Sequence, residues 1–168
     1  MESRLKVFGH PLHQMLVVFP LGLLGTAAIF DGIYLATGRS ALAVVSAYLI
    51  LAGVIGGLLA ALPGLVDYLA IPAGTRAKRV GALHGLGNVV VLGLFAVSWL
   101  VRRDVPEAPP MAAWLLGFAG LGLAGVTGWL GGELVNRLGV GVDDGANLDA
   151  PSSLSGPVSP VTTRCPNA

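Results

Sequence analysis

The sequence is poor in charge, in cysteine and in aromatic residues. Of its 168 residues only 11% are Asp, Glu, Lys or Arg, less than half the share found in ordinary soluble domains. A soluble fold of this length needs more ionisable groups to cover its surface, so a typical cytosolic enzyme is excluded. The 10 basic and 9 acidic residues nearly cancel, leaving a formal net charge of +1, and no basic stripe points to nucleic acid. The single cysteine, Cys165, can neither close an internal disulfide nor build a thiolate metal site. A C-x-x-C-H site, a phosphate-cradling Gly loop ending in Lys and Ser/Thr, and a G-x-S-x-G elbow are all absent from the sequence, and no catalytic activity of its own is expected. What is abundant is apolar: 54% of the residues are hydrophobic and 25 are glycine, with a mean hydropathy of +0.78. That composition fits a small polytopic membrane protein in contact with a lipid bilayer.

Four long apolar runs organise the chain, over about residues 12–36, 41–62, 80–101 and 111–130. Each is about 20 to 25 residues long, or roughly 30 to 37 Å as a helix, enough to cross a hydrocarbon core. They are apolar on all faces and too long for barrel strands. The first run is also too long for a signal h-region and is read as retained. The fold class is therefore all-α: an integral membrane bundle of four transmembrane helices over residues 1–140. A disordered polar tail over 141–168 is expected from its Pro, Ser, Gly and Asp content. Residues 63–79 read as a loop, and Pro20 with Gly22 as a kink in the first span. Lys and Arg number seven on the side of the termini and three on the other. The positive-inside rule then places both termini in the cytoplasm.

Gly53 and Gly57, Gly81 and Gly85, and Gly128 and Gly132 are small-xxx-small pairs suited to close helix packing. Gly81, Gly85 and Gly87 also thin one wall enough for a flat cofactor. The halves are weakly similar: Leu12-His13 matches Leu83-His84, and Leu65-Val66-Asp67-Tyr68-Leu69 matches Leu134-Val135-Asn136-Arg137-Leu138. A tandem repeat of two helical hairpins about an axis normal to the membrane is one reading, and chance similarity in Leu/Val-rich sequence is the other.

Polar groups inside or beside the spans carry the functional reading, because ionisable residues there are costly. His10, His13 and His84 map to one membrane face, with Asn88 one turn beyond His84. Asp67, Glu133, Asn136 and Arg137 lie at the same ends of the second and fourth spans. Three readings stand. One is an interfacial belt in which Glu133 pairs with Arg137 and Asp67 with a loop base. Another is haem b held between His13 (or His10) and His84 on opposite faces of the ring, with Asn88 nearby. The last is a divalent metal held by His10, His13, His84 and Glu133. Asp31 sits in an apolar stretch at the far end of the first span, with Ser46, Tyr48 and Ser98 at similar depth. It reads either as a partner of Arg39 or Arg102 or as part of a proton or ion relay.

Several segments together resemble a known family. Gly9-His10-Pro11-Leu12-His13, Phe19-Pro20, Asp31, the run Leu62-Pro63-Gly64-Leu65-Val66-Asp67-Tyr68, His84 with Asn88, and Gly128-Trp129-Leu130-Gly131-Gly132-Glu133-Leu134 resemble the bacterial membrane proteins grouped as domain of unknown function 2231. The resemblance covers about residues 5–142. It implies membrane redox chemistry in the company of Rieske iron–sulfur or cytochrome c modules. This chain has no such appended module, so any redox partner is a separate protein. The leading expectation is thus a histidine-cluster binding protein for haem b or a metal, accessory to electron transfer. Its rivals are a cofactor-free structural or assembly subunit and a proton- or ion-coupled small transporter, which forms a pore only as a homo-oligomer.

Overall fold

The computed structural model describes residues 1–155 of the chain. A short antiparallel hairpin, β1 (Lys6–Val7) and β2 (His10–Pro11), precedes five α-helices. These are α1 (Leu12–Leu16), α2 (Val18–Thr37), α3 (Ser40–Ala70), α4 (Arg76–Arg102) and α5 (Met111–Gly132), the last continued by a π-helical turn over Glu133–Arg137. α1 and α2 run on as one span, so four helical segments of 26 to 31 residues are long and apolar enough to cross a membrane. Large apolar side chains such as Leu62, Leu86 and Trp129 are exposed on the outside of the bundle, where lipid rather than water is their solvent.

Local chemistry explains each departure from the sequence reading. The break in the first span falls at Val17, because the Pro20 ring opposes the carbonyl of residue i−4, Leu16. The second span does not end at Leu62: α3 runs through Pro63 to Ala70, so residues 63–70 are helix and the loop is shorter than expected. The β-hairpin was not anticipated. It turns at Phe8 (φ 49°) and Gly9 (φ 81°), the paired positive φ angles that a tight two-residue hairpin turn requires. Residues 139–144 are not a free tail. The Met1 amino group donates to Gly139 O at 2.9 Å, Gly141 N–H donates to Met1 O at 2.9 Å, and Lys6 pairs with Asp143. Cys165 and residues 156–168 lie outside the described residues.

Packing runs over glycine, since lipid offers little hydrophobic drive between helices. A Cβ on Gly53 would lie 2.6 Å from Leu24, one on Gly57 2.5 Å from Leu92, and one on Gly120 2.8 Å from Phe95. Leu24, Ile50, Val91 and Phe95 form the buried centre of the bundle. Gly81 and Gly87 are likewise filled, by Tyr68 and Thr127, so they make no slot, whereas Gly85 and Gly128 face open space.

These contacts repeat. His13 bonds Ala60 O and His84 bonds Thr127 O. Gly64 abuts the His13 ring and Gly131 the His84 ring; Gly53 abuts Leu24 and Gly120 abuts Phe95. A hydroxyl ties position 27 to 46 (Ser46 Oγ to Ala27 O) and position 98 to 113 (Ser98 Oγ to Ala113 O). In every case a first-span residue corresponds to the third-span residue 71 further on, and a second-span residue to the fourth-span residue 67 further on. The molecule is two hairpins related by an approximate dyad. The Leu65–Leu69 and Leu134–Leu138 match is two residues out of this register, and the second of those segments is π-helical.

Candidate functional site

A residue that touches its own dyad equivalent must lie on the axis, and two polar pairs among the described residues do so. His13 and His84 meet at one end of the bundle, their ring centroids 6.4 Å apart and their planes nearly perpendicular. Asp31 and Arg102 meet at the other. Each pair is separated by 18 residues along its span, roughly 27 Å of helix. The axis thus carries a polar pair near each membrane surface with an apolar core between them.

At the histidine end, His13 Nδ1 lies 2.8 Å from Ala60 O and His84 Nδ1 lies 2.9 Å from Thr127 O. A carbonyl only accepts, so both Nδ1 atoms carry a proton, and in the neutral ring that leaves the lone pair on Nε2. Pro63 deprives the neighbouring Leu59 carbonyl of its helical donor, and Ala60, one residue on, is the one that His13 reaches. The Asn88 amide donates to His84 O at 2.9 Å. Its nitrogen also stands 3.3 and 3.4 Å from the two ring nitrogens of His84, a near-equal spacing that places it over the ring and not in line with Nε2. Thr127 Oγ1 donates to Asn88 Oδ1 at 3.0 Å and so fixes that amide.

The remaining candidates do not join this pair. His10 is exposed in the hairpin, its Nδ1 3.2 Å from Phe8 O. Asp67 does not pair with a loop base; it accepts from Ser3 Oγ and Arg4 N–H, both at 2.7 Å, and so docks the N-terminal segment. Glu133 faces Arg76 at 3.6 Å and not Arg137, because a π turn rotates residue i+4 off the α-helical line. Arg137 is exposed. Among the described residues no three His, Cys, Asp or Glu side chains gather as a metal site, so the four-ligand set His10, His13, His84 and Glu133 is not assembled.

At the other end Asp31 takes Arg102, not Arg39, as its partner. The guanidinium grips the carboxylate with two bonds of 2.8 Å and also donates to Ser46 Oγ (3.1 Å), Ser98 Oγ (3.0 Å) and Ala113 O (3.1 Å). Arg102 is fully buried. Ser46 and Ser98 lie at the depth the sequence suggested, but Tyr48 is 70% exposed and takes no part. The contributions of the Ala60, Thr127 and Ala113 carbonyls, and of Gly64 and Gly131, were missed. The one sequence signal that marks them is the 71/67 register.

Fold and site together define a polytopic α-helical membrane protein of two dyad-related hairpins, with an imidazole pair at one end of its axis and a buried ion pair at the other. The chain belongs to the family described as "Predicted membrane protein (DUF2231)", which matches residues 9–144. No curated protein and no solved structure matches it.

Proposed function

We propose that this chain is a binding protein of the bacterial inner membrane that holds one metal-centred ligand, haem b first, on the His13–His84 pair. It would serve as an accessory to electron transfer with a separate redox partner. The observation that supports this reading is the convergence of two imidazoles from different hairpins, each tied through Nδ1–H to a backbone carbonyl. That tie is the usual way a protein orients a metal-binding histidine toward Nε2 ligation. The two ring centroids are 6.4 Å apart, so His13 and His84 are the residues that would hold such a group. Haem brings four equatorial nitrogens and needs only two protein ligands, whereas a bare divalent ion needs more than this pair offers. On this reading both termini would lie in the cytoplasm, which is supported by the smaller number of solvent-facing cations, Arg39 and Arg103, on the opposite side.

The test is an absorption spectrum and metal analysis of the purified protein. One Soret-absorbing centre per chain is expected, abolished by His13→Ala and by His84→Ala and kept in His10→Ala. A folded wild-type protein with neither chromophore nor metal would overturn the proposal. It would favour a second reading, in which the histidines only staple each hairpin; the two within-hairpin bonds to Ala60 O and Thr127 O support that one. A relay through Asp31 finds no such support, since both carboxylate oxygens are held by Arg102.

A further inference from the structure

The dyad has an outer consequence away from the histidines. α3 and α4 are in close contact at Gly57 and Leu92 but leave a groove toward the Arg102 end. A cavity of about 230 Å³ is lined by Leu51, Val54, Ala96, Trp99 and Leu100. A second, of about 110 Å³, shares Leu51 and Trp99 and continues to Tyr48, Arg103 and Pro106. From Val54 to Tyr48, or from Ala96 to Arg103, the groove runs about 10 Å along the helices, most of the depth of one hydrocarbon leaflet. Its floor is apolar and its mouth is cationic. Arg103 is half exposed, and its only ion pair among the described residues is with the exposed Asp104 at 3.6 Å. Tyr48 brings a phenol to the same mouth.

The dyad supplies a comparison within the molecule. At the related positions on the other side, Leu115 stands in place of Tyr48, Gly32 in place of Arg103 and Ala28 in place of Trp99. At these positions the related face therefore carries neither the cation nor the hydroxyl. An apolar chain ending in a negative charge complements the face that has both. We infer that the α3–α4 groove binds an anionic glycerophospholipid, with one acyl chain along Leu51, Val54 and Trp99 and the headgroup phosphate on Arg103 and Tyr48. This inference is independent of any ligand on the histidine pair.

The experiment places the full chain, with Trp114 and Trp129 replaced by Phe so that Trp99 reports alone, in nanodiscs containing brominated phosphatidylglycerol or brominated phosphatidylcholine. Because choline's ammonium neutralises its own phosphate and glycerol does not, the Arg103 cation is expected to favour phosphatidylglycerol about fivefold in the quenching of Trp99. Arg103→Gln is expected to erase that preference, and Arg39→Gln, at an exposed arginine on the same side, to leave it intact. Native mass spectrometry of the chain with all three tryptophans counts retained lipid independently and is expected to rank the headgroups and variants in the same order. Equal quenching by the two headgroups, a preference that survives Arg103→Gln, or no quenching by either lipid would each overturn the assignment.

Discussion

Replacing Arg102 by Met isolates the contribution of the buried ion pair. The change removes a guanidinium that makes two bonds to Asp31, one to Ser46 Oγ, two to Ser98 (Oγ and O), and one to Ala113 O. It keeps most of the stem's volume and leaves the Asp31 carboxylate buried without a counter-charge. Breaking one side of a buried pair costs about 3–5 kcal/mol, while removing both charges together costs far less, because the desolvation that the pair opposed disappears with it. Arg102→Met should therefore lower the folded-to-unfolded ratio by at least about a hundredfold. Asp31→Leu should cost a comparable amount, and the double variant should recover part of the loss. The assay is reversible unfolding in mixed micelles, read as a double-mutant cycle. A coupling energy of at least about 1.5 kcal/mol is expected, as for other close buried charge pairs. Additive single effects, or an Arg102→Met cost below about 1 kcal/mol, the range of a surface pair, would refute the reasoning.

Other outcomes follow from the same geometry. Gly64→Ala places a Cβ 2.7 Å from His13 Nδ1, whereas Gly131→Ala places one 3.1 Å from His84 Cε1. Overpacking of about 1–3 kcal/mol should outweigh the helix-propensity gain of about 1 kcal/mol at position 64 and nearly cancel it at 131, so melting temperatures should fall for the first and hardly move for the second. Thr127→Val removes the hydroxyl that fixes Asn88 and should cost about 1 kcal/mol, with a matching loss in Asn88→Leu and little further loss in the double variant. The N-terminal dock should depend on pH on both sides. The bond from Lys6 holds the Glu2 carboxyl below its ordinary 4.5, so its contribution is complete above that value and fades as pH falls through the lowered one. The Asp143 bond raises Lys6 above its ordinary 10.5, so that contribution is complete below 10.5 and fades as pH rises through the raised value. Protection of the amides of residues 1–11 and 139–144, taken relative to their intrinsic exchange rate at each pH, should be greatest between those limits; protection that does not fall on the acid side would count against the dock.

The four spans were legible because runs of 20 or more apolar residues have few physical alternatives. The convergence of His13 with His84 and the depth of Ser46 and Ser98 were legible from helical spacing. The partner of Asp31 was not, since Arg39 and Arg102 map to the same end of the spans and only the packing of the hairpins brings Arg102 inside. Pro63 misled because a proline in an apolar run reads as an end, yet lipid and neighbouring helices tolerate it within α3. Glu133 and Arg137 misled because i, i+4 spacing presumes an α-helix, and this segment is π-helical. The repeat was visible in the match of Leu12-His13 with Leu83-His84, whereas the Leu-Val match lies two residues out of register.

The imidazole nitrogen spectrum of the ¹⁵N-histidine-labelled chain in nanodiscs tests the central claim most directly. Both His13 and His84 should show a protonated Nδ1 and an unprotonated Nε2 that responds to added haem. An Nε2–H tautomer at either ring would close the site and contradict the account.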